Sequence, residues 1–313
     1  MRALSQMQEY LVNEFVDDYK DGLMPRREMM KRVLRIMGSA AGAATILTSL
    51  GVKAEDAMAA QATPPATPAA VARSPISVPE DDPDVTGSDI TFDSAGVVIS
   101  AYEARPNPAP AEPAPLILVC HENRGLTPHI RDVARRLTRE GYVALAVDLV
   151  SRDGGTAMYE EADIPDLLTR VEPSVHVADF QAAIASYASD TTVDVARVGM
   201  IGFCFGGGIT WQSATLIPEI KAAIPYYGPP PPLENVPNIT GSVLGMYAED
   251  PDDFANRGRD ELDQALAAAG IDYQINVYPG TEHAFNNDTG PRYNEEQALV
   301  AWTDAMAWFS EKV

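Results

Sequence analysis

From residue 89 onward, short runs of consecutive apolar residues alternate with stretches of helical periodicity. Leu116–Cys120 and Val143–Val147 are apolar throughout, as strands covered on both faces are. Ile90–Phe92 and Val97–Ala104 read as a hairpin. Val198–Gly202, Ala222–Tyr226, Ser242–Tyr247 and Tyr273–Val277 read as further strands. Apolar residues recur at helical spacing over 129–140, where Gly141 supplies a terminator, and over 175–188. Helices are also expected after Cys204 and over 254–269 and 295–310. This alternation predicts an α/β unit over 89–313, with a mostly parallel central sheet and helices on both faces.

The first 60 residues follow a different pattern. Residues 1–24 form a polar, partly amphipathic helical stretch with Leu11, Phe15 and Tyr19 at helical spacing. Arg26-Arg27 opens a basic run ending at Arg32, followed by an Ala/Gly-rich apolar stretch, Val33–Val52, and by Ala57-Met58-Ala59-Ala60. Basic, apolar and small-residue parts in that order read as an export signal over 1–60. The paired arginines resemble a twin-arginine signal, which implies a periplasmic location. The alternative is a retained helix, packed on the domain or lying on a membrane, in a protein that stays cytoplasmic. Arg35 interrupts the apolar stretch, which falls short of the roughly 20 strongly apolar residues of a spanning helix, so no stable membrane span is expected. Residues 61–88, rich in Pro, Ala, Thr and Asp, read as a flexible linker.

Charge narrows the partners. A formal net charge of -22 repels phosphate backbones and argues against nucleic acid. The cysteines, Cys120 and Cys204, are too few for a disulfide-built scaffold. The histidines are His121, His129, His176 and His283, and no Cys/His group has zinc-ligand spacing.

Gly202-Phe203-Cys204-Phe205-Gly206-Gly207 lies directly between an apolar strand and a helical stretch. That is the context of a nucleophile elbow, whose sharp turn needs small residues two positions either side of the nucleophile. Gly202 and Gly206 stand there, and Cys204 is the candidate nucleophile. The turn puts the thiol at a helix N-terminus, expected to lower its pKa, and presents the Phe205 amide as an oxyanion donor. In the α/β-hydrolase order, an acid and then a histidine follow the nucleophile. The histidine after Cys204 is His283, just past the last predicted strand. Glu249, Asp250, Asp252 and Asp253 all follow the preceding strand, and Asp250, at the start of the loop, is taken as the residue orienting the imidazole.

Several segments together resemble the dienelactone hydrolase (carboxymethylenebutenolidase) family over roughly 88–313. They are Cys120-His121-Glu122-Asn123-Arg124-Gly125, Val147-Asp148-Leu149, the Gly202–Gly207 elbow, Leu244–Asp250, and His283-Ala284-Phe285 with Asn287-Asp288. The resemblance implies an α/β-hydrolase fold and a Cys204–Asp250–His283 triad that needs no cofactor. It implies that Glu122 pairs with the resting thiol and draws off its proton when substrate arrives. It also implies that the Asn123 amide is the second oxyanion donor. The family holds an anionic dienelactone with two arginines. Here Asn287 stands at one position, and the segment of the other is acidic: Glu160, Glu161, Asp163 and Asp166. Arg124, taken as substrate-binding, Arg152 and Arg292 are the candidate replacements.

The reading is therefore a cysteine-dependent hydrolase acting on a small-molecule ester or lactone. The alternative is a non-catalytic exported binding protein on a hydrolase scaffold. A serine esterase using Ser213 lacks an elbow to support it.

Overall fold

The structure is a computed structural model and describes residues 4–52 and 73–313. Three helices come first: α1 (Gln6–Lys20), α2 (Arg26–Met37) and α3 (Ala40–Ser49). A hairpin, β1 (Val85–Ser94) and β2 (Val97–Pro106), opens the α/β unit. It continues as β3 (Ala114–Cys120), α4 (Pro128–Arg139), β4 (Val143–Val147), α5 (Ile164–Leu168), α6 (Pro173–Ser186), β5 (Val193–Phe203) and α7 (Phe205–Leu216). Then come β6 (Ile220–Tyr226), β7 (Ser242–Ala248), α8 (Arg259–Ala269), β8 (Tyr273–Tyr278) and α9 (Glu295–Lys312).

The strands form one eight-stranded sheet in the order β1-β2-β4-β3-β5-β6-β7-β8. The β1–β2 and β2–β4 pairs are antiparallel, and every pair from β4 to β8 is parallel. This is the mostly parallel sheet that the alternation predicts, in the α/β-hydrolase architecture that the resemblance implies. Strands β3, β4 and β7 are buried almost throughout, because helices cover both faces. The loops that leave β3, β5, β7 and β8 at their carboxyl ends meet above the sheet, where such folds place ligands.

Two N-terminal expectations need revision. Residues 73–84 are not a free linker. The Arg73 guanidinium donates to the Asp288 carbonyl (2.8 Å), and the Ser74 amide donates to the Asp288 carboxylate (3.0 Å). Ser77 and the Val78 amide both bond Asp132 of α4 (2.8 and 2.7 Å), and Val78 is buried. Strand β1 begins at Val85, before Asp89. The rest of the presumed linker, and Ala57–Ala60, lie outside the described residues.

Helix α1 is not merely amphipathic: Leu11 and Val12 are fully buried, and Phe15 and Val16 nearly so. Burial of each such side chain contributes roughly 1.5–3 kcal/mol. Ser5 caps α1 with a reciprocal capping box to Gln8. Polar contacts fasten α1 along its length. Gln6 donates to the Pro230 carbonyl (2.9 Å), and Arg257 donates to Asn13 (2.9 Å). Arg292 bridges Asp18 (3.0 Å) and Asp21 (2.5 Å) at the C-terminal end. Among the described residues no helix is long and apolar enough to cross a membrane.

Candidate active site

The turn at Cys204 has the backbone of an elbow. Cys204 adopts φ 56° and ψ −119°, a conformation that costs a non-glycine residue about 1–3 kcal/mol. The Cys204 amide donates to the Tyr226 carbonyl (3.0 Å), which fixes the turn to the neighbouring strand. The flanking glycines are required by space. A Cβ on Gly202 would lie 2.3 Å from the Gly206 carbonyl oxygen, and one on Gly206 would lie 2.4 Å from the His121 carbonyl oxygen.

His283 follows β8 and is buried, its ring 4.6 Å from Phe254 and 5.1 Å from Tyr227 between centroids. Its Nδ1 lies 3.2 Å from Asp253 Oδ1. This corrects the assignment of the orienting acid to Asp250. The Asp250 carboxylate instead accepts from the Asp252 amide (2.9 Å), and its backbone amide donates to the Thr281 carbonyl (3.1 Å). The loop runs on from there and turns at Asp253, which caps the short 3-10 turn Phe254–Asn256 through the Ala255 amide (2.9 Å). That cap aims Asp253 inward, where the second carboxylate oxygen is buried with no hydrogen-bond partner among the described residues.

The thiol's neighbour is not the expected one either. The Cys204 thiol faces the carboxylate of Glu14, on α1, with Sγ 3.5 and 3.4 Å from the two oxygens. Glu122 is buried after β3, but its Oε2 accepts from Asn287 Nδ2 at 2.6 Å. Asn287, standing where the family's arginine was expected, thus holds Glu122. The Glu122 turn is pinned by His121. The Leu149 amide donates to His121 Nε2 (3.0 Å), so Nδ1 carries the proton that goes to the Glu122 carbonyl (2.6 Å). Burial lowers the pKa of His121 and favours that neutral ring.

A second residue of α1 reaches the imidazole. The Tyr10 hydroxyl donates to the Tyr227 carbonyl (2.8 Å). Its oxygen also lies 3.3 Å from His283 Nε2, while the ring's Nδ1 faces Asp253. Burial alone would lower the His283 pKa, but the charge and hydrogen bond of Asp253 outweigh it and Glu14 adds to them, so the pKa is raised.

The thiol departs from the helix-dipole expectation. Burial, then the negative charges of Glu14 and Glu122, push Cys204 well above its ordinary value; the Tyr10 hydroxyl and the Phe205 amide pull back only part of that. Burial likewise pushes Glu14 up to about 7, against the lowering influence of His283. One donor atom each from Glu14, Cys204 and His283 lies within 4.8 Å of the others, a set with zinc-ligand chemistry.

The Phe205 amide, the candidate oxyanion donor, stands at the start of α7 directly after Cys204 and lowers the thiol pKa by a hydrogen bond. Phe205 also lines a cavity of about 310 Å³ with Met7, Arg35, Leu168 and Val171. Asn123 is buried in the turn beside Glu122. Arg124 is half-exposed and pairs with Glu161 (3.4 Å). Arg152 is held by Asp179 (2.5 Å) and Arg292 by α1. Ser213 is buried within α7, away from any turn of the elbow kind.

Comparison with known proteins shows the family. The sequence profile of the dienelactone hydrolase family matches residues 99–313. The chain belongs to the dienelactone hydrolase family. It is 36% identical over 232 residues to an Escherichia coli protein provisionally assigned as a carboxymethylenebutenolidase, covering 70% of this chain and 84% of that one. A Salmonella typhi protein with the same provisional assignment is 34% identical over 258 residues, covering 78% and 94%. The crystal structure of a provisionally assigned dienelactone hydrolase from Klebsiella pneumoniae superposes with a TM-score of 0.67 at 33% identity, covering 72% and 99%. As a member of the dienelactone hydrolase family the protein is a hydrolase. The profile match begins after α1, so Tyr10 and Glu14 stand outside the part of the chain that defines membership.

The sequence reading missed Asp253, Tyr10 and Glu14. The signal for Asp253 was present, as one of four acids after β7, but the loop path that selects it was not. For α1 the buried stripe was visible, though not what it packs against.

Proposed function

We propose that this dienelactone hydrolase relative cleaves carboxylic ester or lactone bonds through Cys204, with His283 oriented by Asp253. The observation that carries this reading is the strained Cys204 backbone at the strand-to-helix turn, with the His283–Asp253 pair alongside. His283 Nε2 takes the Cys204 thiol proton as the sulfur attacks the carbonyl carbon and forms an S–C bond. The amides of Phe205 and Asn123 hold the oxyanion, a stabilisation typically worth about 3–4 kcal/mol per donor. The C–O bond then breaks, and His283 Nε2 gives its proton to the leaving oxygen. Next, Nε2 takes a proton from water, which attacks the thioester and releases the acid. Each step is served by the protein's own side chains and amides.

Asp253 keeps the Nδ1 proton in place and offsets the imidazolium charge. The Glu122 carboxylate adds negative charge near the sulfur, while its bond to Asn287 fixes its position. Arg124, the candidate substrate-binding arginine, stands next in sequence to the Asn123 oxyanion donor.

Cys204→Ala tests the assignment. Hydrolysis of small aryl esters and lactones should fall to the uncatalysed rate while the thermal unfolding midpoint is kept. Turnover equal to the parent's would overturn it.

We also propose a periplasmic location, supported by Arg26-Arg27 ahead of the apolar α3. Fractionation of expressing cells decides it; confinement of the protein to the cytoplasm would refute it.

A further inference from the structure

Helix α1 places two chemical groups at the two atoms that do the work. A phenol oxygen, that of Tyr10, lies 3.3 Å from His283 Nε2, within hydrogen-bond reach. A carboxylate, that of Glu14, faces the Cys204 sulfur, almost equidistant from its two oxygens at 3.5 and 3.4 Å. In ester hydrolysis His283 Nε2 faces the leaving oxygen, and the nucleophile faces the carboxyl group of the acid. A phenol on the histidine and an aliphatic carboxylate on the sulfur are together the products of hydrolysing an aryl ester.

The surroundings fit that chemistry. The Tyr10 ring packs edge-on against Phe254, with centroids 4.7 Å apart, and near His283 at 6.1 Å. These rings form an aromatic seat suited to a phenyl group. Tyr10 is buried, and Cys204 and His283 are 2% and 5% exposed, so an outside ester and α1 compete for one space. The fastenings of α1 are partly electrostatic: Arg292, near the site, holds Asp18 and Asp21 and lies 3.8 Å from Glu282.

We propose that α1 occupies the active site as an internal copy of the reaction's products, so that the substrate is an ester of a phenol with an aliphatic acid and α1 must lift off to admit it. The proposal rests on the cysteine-hydrolase reading above. The balance is that of hydrolysis: the bond between the carbonyl carbon and the phenol oxygen breaks, the His283 proton goes to the phenolate oxygen, and water supplies the hydroxyl of the released acid.

The test uses the full chain. Arg292→Glu sets a negative charge against Asp18, Asp21 and Glu282 and should loosen α1; it also removes a positive charge that lowers the His283 pKa, so the charge-conserving Arg292→Lys is run beside it. Alkylation of Cys204 by iodoacetamide, located by peptide mass spectrometry to separate it from Cys120, should accelerate about tenfold as the open population rises. Adding p-cresol with propionate, which are the side chains of Tyr10 and Glu14, should slow that alkylation again; cyclohexanol with propionate should not. Should Arg292→Glu fail to fold by circular dichroism, the near-isosteric pair Tyr10→Phe with Glu14→Gln removes the contacts and keeps the shape, with a rise of about threefold expected. Alkylation at the parent rate in the folded variants overturns the covering role. Equal protection by cyclohexanol, or none by p-cresol, overturns the product likeness. Failure of the opened variant to hydrolyse p-cresyl propionate while it hydrolyses a small lactone overturns the substrate assignment; failure on both, with alkylation and protection as expected, overturns the hydrolase reading alone.

Discussion

His283 takes its orientation from Asp253, whose Oδ1 lies 3.2 Å from Nδ1, across a loop that carries three other acids closer to the end of β7. Asp253→Asn should therefore lower kcat for ester hydrolysis by about a thousandfold, because an amide in that place favours the wrong imidazole tautomer. Asp250→Asn leaves the imidazole's partner intact and should stay within about threefold of the parent, since its contacts are local turn contacts. Steady-state kinetics on one aryl ester compares the two. Equal losses would return the orienting role to the loop as a whole.

The elbow glycines set a steric prediction. Gly206→Ala puts a methyl 2.4 Å from the His121 carbonyl oxygen and 2.5 Å from that of Cys120, both backbone atoms that cannot step aside. Overpacking of this kind costs typically about 1–3 kcal/mol, and the backbone contact places it at the upper end. Urea unfolding should show that loss. A midpoint unchanged from the parent would mean the turn relaxes.

Glu14 and His283 both bind their protons more tightly in the folded chain than in the unfolded one. The folded protein therefore holds more protons over the window, and stability falls as pH rises through it. For Glu14 the window runs from its ordinary 4.5 to about 7. Thermal midpoints measured across that range should decline with pH, and Glu14→Gln should flatten the decline. A midpoint that climbs over the same interval would contradict the burial of Glu14.

Asp288 ties the 73–78 segment to α4. It accepts from the Ser74 amide, from Arg136 (2.8 Å) and from His129 Nδ1 (2.8 Å). Burial would raise its pKa, but His129 and Arg136 hold it well below the usual carboxylate range. Asp288→Ala leaves a buried guanidinium with half its partners, a change that costs about 3–5 kcal/mol in such networks. Limited proteolysis should then cut near residues 73–84 faster than in the parent. An unchanged pattern would show that Asp132 alone holds the segment.

What the sequence determined by itself is what depends on neighbours along the chain. Short continuous apolar runs such as Val143–Val147, β-branched at both ends and bounded by turn residues, read as strands covered on both faces, and their alternation with helical periodicity predicts a mostly parallel sheet. The elbow was legible because a sharp strand-to-helix turn imposes glycine two residues either side of Cys204. His283 was legible because it was the histidine left after Cys204. Choice among equivalents, and contact across long separations, belonged to the tertiary structure. Four acids follow β7, and only the turn that ends in the Asp253 cap decides which one points inward. Glu122 had the right place for the thiol, but Asn287 takes its oxygen. Glu14 reaches Cys204 across 190 residues because the apolar face of α1 is buried. No local pattern encodes that contact: the sequence shows that α1 has a face to bury, and only packing decides that it is buried over the nucleophile.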